Sequence, residues 1–255
     1  MKRILILSIL AASSRLFALG TYSEGWAVIV PTKLESSGIL FTSFEGTFDI
    51  AHFDRNEACD EAENLCFTPK VKSIQFSIDD ENKATVKFVL ENLNKEMLIH
   101  YRIHRVEAAG LSTDFEVTEA LGIQPAHSAE LKRQVVVKPS GSKRNFSLFG
   151  KILQFEYKGR AVGTYEGLYY DKQRGRVHPF SVTNEEMAAH IIQCIRSGTP
   201  YYFGVSVAYV TGFRETSYDI YEVNLDRPAG TVEAAPEPKK EEAPKKDEKP
   251  EQEKK

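Results

Sequence analysis

This chain is short of the residues and motifs that usually announce chemistry. It has three cysteines and one tryptophan in 255 residues, so at most one disulfide forms and at least one thiol stays unpaired. Neither sign of charge is in marked excess: 33 Lys and Arg stand against 36 Asp and Glu, a formal net charge of -3. Bulk electrostatics therefore gives no case for nucleic-acid binding, and the expected partners include no nucleic acid. There is no G-x-G-x-x-G between a strand and a helix to cradle a dinucleotide, and no G-x-S-x-G elbow to hold a nucleophilic serine. No catalytic residue, cofactor or metal is expected. Beyond residue 20 no segment is apolar over the ~20 residues that cross a bilayer, so no transmembrane span is expected in the mature chain.

The two ends have the clearest compositions. Met1-Lys2-Arg3, the apolar run Ile4 to Ala12 and the small residues of Ala18-Leu19-Gly20 read as a secretory signal peptide over 1–20. The expected location is outside the cytoplasm, in the periplasm or on the cell surface of a bacterium. From 231 to 255 the chain uses almost only Ala, Pro, Glu, Lys, Asp and Gln. That composition cannot bury enough apolar surface to offset the entropy of ordering, so a disordered charged tail is expected.

Between the ends the chain repeats itself. Thr42-Ser43-Phe44-Glu45-Gly46 followed by Phe76-Ser77-Ile78-Asp79-Asp80-Glu81 is echoed by Thr164-Tyr165-Glu166-Gly167 followed by Phe180-Ser181-Val182-Thr183-Asn184-Glu185. Each half reads as three strands, a helix and two strands. In the second half Ala188, Ile191, Ile192 and Ile195 form one helical face, with Thr183 to Glu186 as a capping box and Gly198 as the C-terminal stop. Val86, Val89, Leu90 and Leu93 repeat that stripe in the first half. The expected fold is mainly β, a β-rich α+β class: two tandem OB-like βββαββ barrels, with one β-rich α+β domain as the alternative. The expected boundaries are 21–120 for the first module with an acidic insertion at 51–66, 121–149 for a connecting segment in which Leu131 to Lys138 can pair as a strand, and 150–230 for the second module.

Tyr22-Ser23-Glu24-Gly25, Lys33, Gly38 and Thr42-Ser43-Phe44-Glu45-Gly46 resemble the opening of a group of small exported bacterial envelope proteins often labelled 6-phosphogluconate dehydrogenase-like. The resemblance covers about the first 25 mature residues, with an echo at Thr164 to Gly167. Where that group has Trp, this chain has Phe44 and Tyr165. The resemblance implies a short β-rich envelope module; the dehydrogenase label finds no support in the residues.

Individual residues add candidates. Cys59 and Cys66 lie close together in the acidic insertion and are candidates for a short disulfide; the same insertion lacks the glycine that an EF-hand loop needs at its sixth position. Cys194 adjoins Ile191, Ile192 and Ile195 and reads as a buried thiol. His100, Arg102 and His104 alternate along one strand face, a polar face with no third metal ligand nearby. The second half is dense in tyrosine, and a binding surface is expected at Arg160, Tyr165, Tyr169, Tyr201 and Tyr209, since OB barrels use outer-face aromatics for stacking. The expected function is a non-enzymatic binding or assembly module that interacts with another envelope protein. A module that binds carbohydrate or polyanion, including cell-envelope glycan, is the alternative.

Overall fold

A computed structural model describes residues 21–37, 43–55, 67–105, 110–123, 134–139, 142–159 and 163–226. Its elements run β1 (Thr21–Ser37), β2 (Ser43–Arg55), β3 (Phe67–Asp79), α1 (Lys83–Glu91), β4 (Met97–His104), β5 (Phe115–Leu121), β6 (Gln134–Val136), β7 (Ser142–Gly159), β8 (Gly163–Asp171), β9 (Arg176–Val182), α2 (Glu185–Ser197), β10 (Tyr201–Ala208) and β11 (Tyr218–Asn224). The βββαββ order therefore occurs twice.

Both halves close in the same way. In the first, β1 pairs with β2, β2 with β3, β3 with β5 and β5 with β4, and β4 returns to β1. The closing contact is parallel, a single bridge between Ser77 and Glu116. In the second, β7, β8, β9, β11 and β10 follow the same circuit, closed in parallel at Ser181 and Asp219. A five-stranded barrel with the helix between its third and fourth strands is the OB architecture, and the chain is two such barrels in tandem. The barrels share a seam, because the start of β1 also pairs antiparallel with β7 from Ser23–Lys158 to Ala27–Gln154.

Each barrel has its own core. Phe48, Phe76, Ile78, Val86, Val89, Ile99 and Tyr101 fill the first. Phe155, Tyr169, Phe180, Ile191, Tyr201 and Phe203 are among those that fill the second. The helices plug the barrels with their apolar faces, Thr85, Val86 and Val89 in α1 and Met187, Ala188, Ile191, Cys194 and Ile195 in α2. Leu90, expected on the buried stripe of α1, is 45% exposed. Leu93 packs on the core from just beyond the helix, and Thr85 is buried within it. At α2 the cap is Asn184, which accepts from the Met187 N–H at 2.9 Å, so the expected box is displaced by one residue; Thr183 donates instead to Asp219 Oδ2. Gly198 ends the helix in the left-handed region, at φ 61°.

The repeated motif has a structural counterpart. Gly46 faces Phe76 across β2–β3, and Gly167 faces Phe180 across β8–β9. A Cβ at Gly46 would stand 2.6 Å from the Phe76 ring and 2.4 Å from the Lys33 carbonyl oxygen. At Gly167 it would stand 2.4 Å from the Phe180 ring and 2.7 Å from the Gln154 carbonyl oxygen. In each barrel the glycine lets a phenylalanine lie flat across the second strand where the sheet coils.

Two departures from the expected boundaries matter for the site. β7 begins at Ser142, not near residue 150, and its first half pairs with β10; β6, within the expected connection, does pair, with β11. The β2–β3 hairpin is the larger surprise. It runs unbroken to the Arg55–Phe67 pair, well past the barrel, as an arm that reaches the second barrel. Phe67 at its end is 6% exposed and belongs to the second barrel's core, edge-on to His178 and Tyr218. Residues 56–66 of the acidic insertion, with Cys59 and Cys66, lie outside the described residues.

Candidate functional site

The arm makes a cleft of about 1090 Å³ between the barrels. One wall is the arm and the adjoining end of the first barrel, with Ile50, His52, Lys72, Ile74 and Arg105. The other is the outer face of the second barrel's first three strands, with Gln154, Glu156, Lys158, Glu166, Leu168 and Pro179. In OB folds this face, on strands two and three, is where extended ligands lie. The volume is at the upper limit for small-molecule pockets, so the cleft has room for an oligomeric ligand.

The floor is a carboxylate network. Glu156 accepts from Ser23 and, at 3.0 Å, from the Tyr101 hydroxyl, which accepts in turn from Gln154 Nε2 at 2.8 Å. Burial, then the Glu156 charge, raises the Tyr101 phenol well above its ordinary range, so the hydroxyl remains a donor. Lys158 bridges Glu215 at 2.6 Å and Glu156 at 3.9 Å. Burial alone would lower the Lys158 ammonium, but the Glu215 bond and the two carboxylates outweigh it and its pKa is raised. Glu166 is 3% exposed and accepts from Ser181 Oγ at 2.6 Å and from the Glu215 N–H at 3.2 Å; burial raises its carboxyl. These groups are mutually satisfied, so the floor is rigid and polar.

A second feature lies at the rim of the second barrel, where the β10–β11 connection projects. Tyr209, Val210 and Phe213 are 67%, 75% and 79% exposed. The turn that carries them is held by Arg214, which donates through Nε to Thr211 O at 3.0 Å and through Nη2 to Val210 O at 2.9 Å. Its guanidinium is anchored against the buried Asp219 carboxylate at 3.6 Å. The three apolar side chains are thus presented on a fixed turn. Arg214 also meets Tyr157 and Tyr165 around a hollow of about 410 Å³.

The expected tyrosine surface is only partly there. Tyr209 is exposed, and Tyr165 lies at the rim, stacked on Phe155 at 5.9 Å. Tyr169 and Tyr201, expected on an outer face, are in the core at 1% and 0% exposure. Tyr165, Gly167 and Tyr169 do share one face of β8, but it is the inward one. Tyr201 and Phe203 likewise turn inward from β10. Arg160 lies outside the described residues.

The residues that sequence reasoning missed are Gln154, Glu156, Lys158, Glu215 and the arm. No local signal marks them, because the site exists only where two modules meet. Cys194 is a buried thiol as expected, and burial pushes its pKa up to about 12. His100, Arg102 and His104 each lie beside a carboxylate: Glu24 is 3.6 Å from His100 and 3.2 Å from Arg102, and Glu116 is 2.8 Å from His104. Among the described residues no cluster of His, Cys, Asp and Glu could hold a metal ion, and no helix is long and apolar enough to cross a membrane.

Comparison with known proteins adds the following. No curated protein matches. Among solved structures, a deletion variant of the single-stranded DNA binding protein from Thermus aquaticus is similar at 8% identity and TM-score 0.27, over 86% of this chain and 98% of that one. The wild-type protein is similar at 10% identity and TM-score 0.25, over 84% and 97%. The expectation that excluded a nucleic-acid partner, drawn from net charge alone, is corrected by this likeness to single-stranded DNA binding proteins. The barrel assignment itself stands on the strand register of this chain. A family profile matches residues 20–127 and 141–230, stretches that coincide with the two barrels, and the chain belongs to that family, described as Domain of unknown function (DUF8785).

Proposed function

We propose that this chain is a non-enzymatic exported protein that binds another protein of the cell envelope, with the β10–β11 turn as its contact. The observation that carries this reading is the fixed, exposed trio Tyr209, Val210 and Phe213. Isolated exposed apolar side chains need no explanation. Three on one turn, held by a guanidinium that could have faced solvent, are placed for an interface. Aromatic anchors of this kind dominate binding energy when they enter a partner's pocket, and a turn ordered in advance loses little entropy on docking. Export rests on the basic and apolar start of the chain.

A stacking platform for sugars finds less support. Of the aromatic rings that line the cleft, Phe115 and Phe180 are 6% and 0% exposed, and the more open His52 and Phe53 stack on each other at 5.6 Å.

The test is recovery of the mature protein from intact crosslinked cells, comparing the wild type with a Tyr209→Ser/Phe213→Ser variant. One abundant envelope protein should accompany the wild type and be lost from the variant, whose fold should be unchanged. Equal recovery of that protein with both would refute the reading.

A further inference from the structure

We infer that the β2–β3 arm is an acid-released strap, docked on the second barrel at neutral pH and freed when the His178 imidazole takes up a proton. The end of the arm sits over a gap in that barrel. β9 and β11 meet at the single bridge Ser181–Asp219, and among the described residues no pairing joins them ahead of it. Phe67 lies against one residue from each side of the gap, 6.5 Å from the His178 ring on β9 and 6.0 Å from the Tyr218 ring on β11. Phe53, on the same face of the hairpin, meets Phe67 edge-on at 5.1 Å.

This attachment can be undone without unfolding either barrel. From the Arg55–Phe67 pair inward the arm strands are hydrogen-bonded to each other, and among the described residues no ladder joins them to the second barrel. Side chains hold the arm there, Phe67 within the core and Phe53 packed against it, so it can lift as an intact hairpin.

His178 is the titrating group beneath it. Its ring is stacked on Tyr169 at 5.3 Å and is 5% exposed, and Nε2 has no hydrogen-bond partner. An imidazolium there has one N–H with neither water nor an acceptor. The groups around it do not supply one. The Tyr169 phenol, raised well above its ordinary range by burial, carries no charge. Asp171 at the end of β8 favours the cation, but it accepts from the Gln173 and Arg174 N–H groups and from the Arg174 guanidinium at 3.1 Å. Arg174 and Arg176 oppose the cation. On β11 Asp219 is taken by Thr183 and Arg214. On the arm Asp54 and Lys70 pair with each other, and with His52 they alternate onto the face opposite Phe53 and Phe67.

Burial outweighs Asp171 and lowers the imidazole from 6.5 to about 4. With the arm lifted the ring regains water, so docking is fully supported above 6.5 and weakens as pH falls toward 4. Full hydration on release cuts the ratio of docked to free arm ~20-fold between pH 7 and pH 5, and ~100-fold by pH 4. The arm is one wall of the inter-barrel cleft, so its release also opens the cleft.

NMR of the mature protein, with His, Phe and Tyr rings labelled, reads both ends of this linkage. Between pH 7 and pH 4 the ring contact of Phe67 with Tyr218 should fade in step with the His178 titration. The stacked pair Phe155 and Phe180 of the second core should stay in contact. In His178→Phe the contact of Phe67 with Tyr218 should persist over the same range. Linkage is reciprocal, so Phe67→Ala, which changes no charged group, should raise the proton affinity of His178 at least ~10-fold, one pH unit in its ring titration. A His178 titration unmoved by Phe67→Ala would overturn the inference. So would a contact of Phe67 with Tyr218 that survives the titration, is lost equally in His178→Phe, or is lost only together with that of Phe155 and Phe180.

Discussion

Ser181 donates its hydroxyl to Glu166 at 2.6 Å across the β8–β9 ladder, and Ser77 donates to Glu45 at the same distance across β2–β3. Each serine is also the residue at which its barrel closes onto the fifth strand. The repeated glutamate and serine therefore do one job twice. They tie the second strand to the third at the closing bridge and, through the Thr113 N–H on Ser77 and the Glu215 N–H on Glu166, secure the segment that enters the fifth strand.

The serine–glutamate bond should be worth more in the second barrel. Glu166 is 3% exposed, and without the Ser181 hydroxyl a buried carboxylate is left short of a donor, a penalty of about 1–3 kcal/mol. Glu45 is half-buried and keeps the Ser43 hydroxyl at 2.6 Å, so its bond to Ser77 should be worth no more than about 1 kcal/mol. Ser77 also accepts from the Ser112 and Thr113 N–H groups, so double-mutant cycles of each serine with its glutamate, followed by urea unfolding, measure the difference.

Gly46→Ala and Gly167→Ala should both destabilise the fold by at least about 1–3 kcal/mol, the usual range for overpacking. In each case the new methyl meets a carbonyl oxygen as well as a ring, and backbone cannot turn away as a side chain can. Thermal melts of the two variants should shift in the same direction.

These glycines and acids were legible in the sequence, because a repeat shows itself without knowledge of its partners. The βββαββ order was legible too, from the apolar stripes of the two helices and the alternation of Lys151 to Tyr157. Which face of β8 points inward was not. Tyr165, Gly167 and Tyr169 face the core, yet Glu166 and Leu168 on the opposite face are also buried, at 3% and 6%, because the outer face of this strand lies against the cleft. Alternation reports polarity, and with both faces covered it no longer distinguishes inside from outside. The arm was hidden for a similar reason: Pro69 and Lys70 break the apolar alternation ahead of the strand, and only the second barrel makes Phe67 a core residue.

Phe67→Ala should release the arm. Truncation of a buried phenylalanine costs about 3–5 kcal/mol, and the loss should appear in the second barrel although the residue belongs to the first. Hydrogen exchange should quicken along β2 and β3 beyond Phe48 and at Tyr218, with the core of the first barrel unchanged.

His178 should make the protein sensitive to mild acid. It is 5% exposed, stacked on Tyr169 at 5.3 Å, and its Nε2 has no hydrogen-bond partner. Burial lowers its pKa from 6.5 to about 4. Between those values the unfolded chain binds more protons than the folded one, so stability rises with pH across this window. The contribution is complete above 6.5 and is lost as pH falls through the window, by up to ~3 kcal/mol at pH 4. The Glu166 carboxyl, raised by burial, acts in the opposite sense from its ordinary value of 4.5 upward, so the histidine is best isolated by difference. His178→Phe should gain stability over the wild type at pH 5 and much less at pH 7, in urea titrations at both values.

Contact between the β10–β11 turn and a protein of the envelope is tested most directly by a photocrosslinking residue in place of Phe213, activated in intact cells. A single discrete adduct with one envelope protein, absent when the same residue replaces the half-exposed Leu90 of α1, is the predicted result. Adducts with many proteins, or none beyond those formed from position 90, would contradict it.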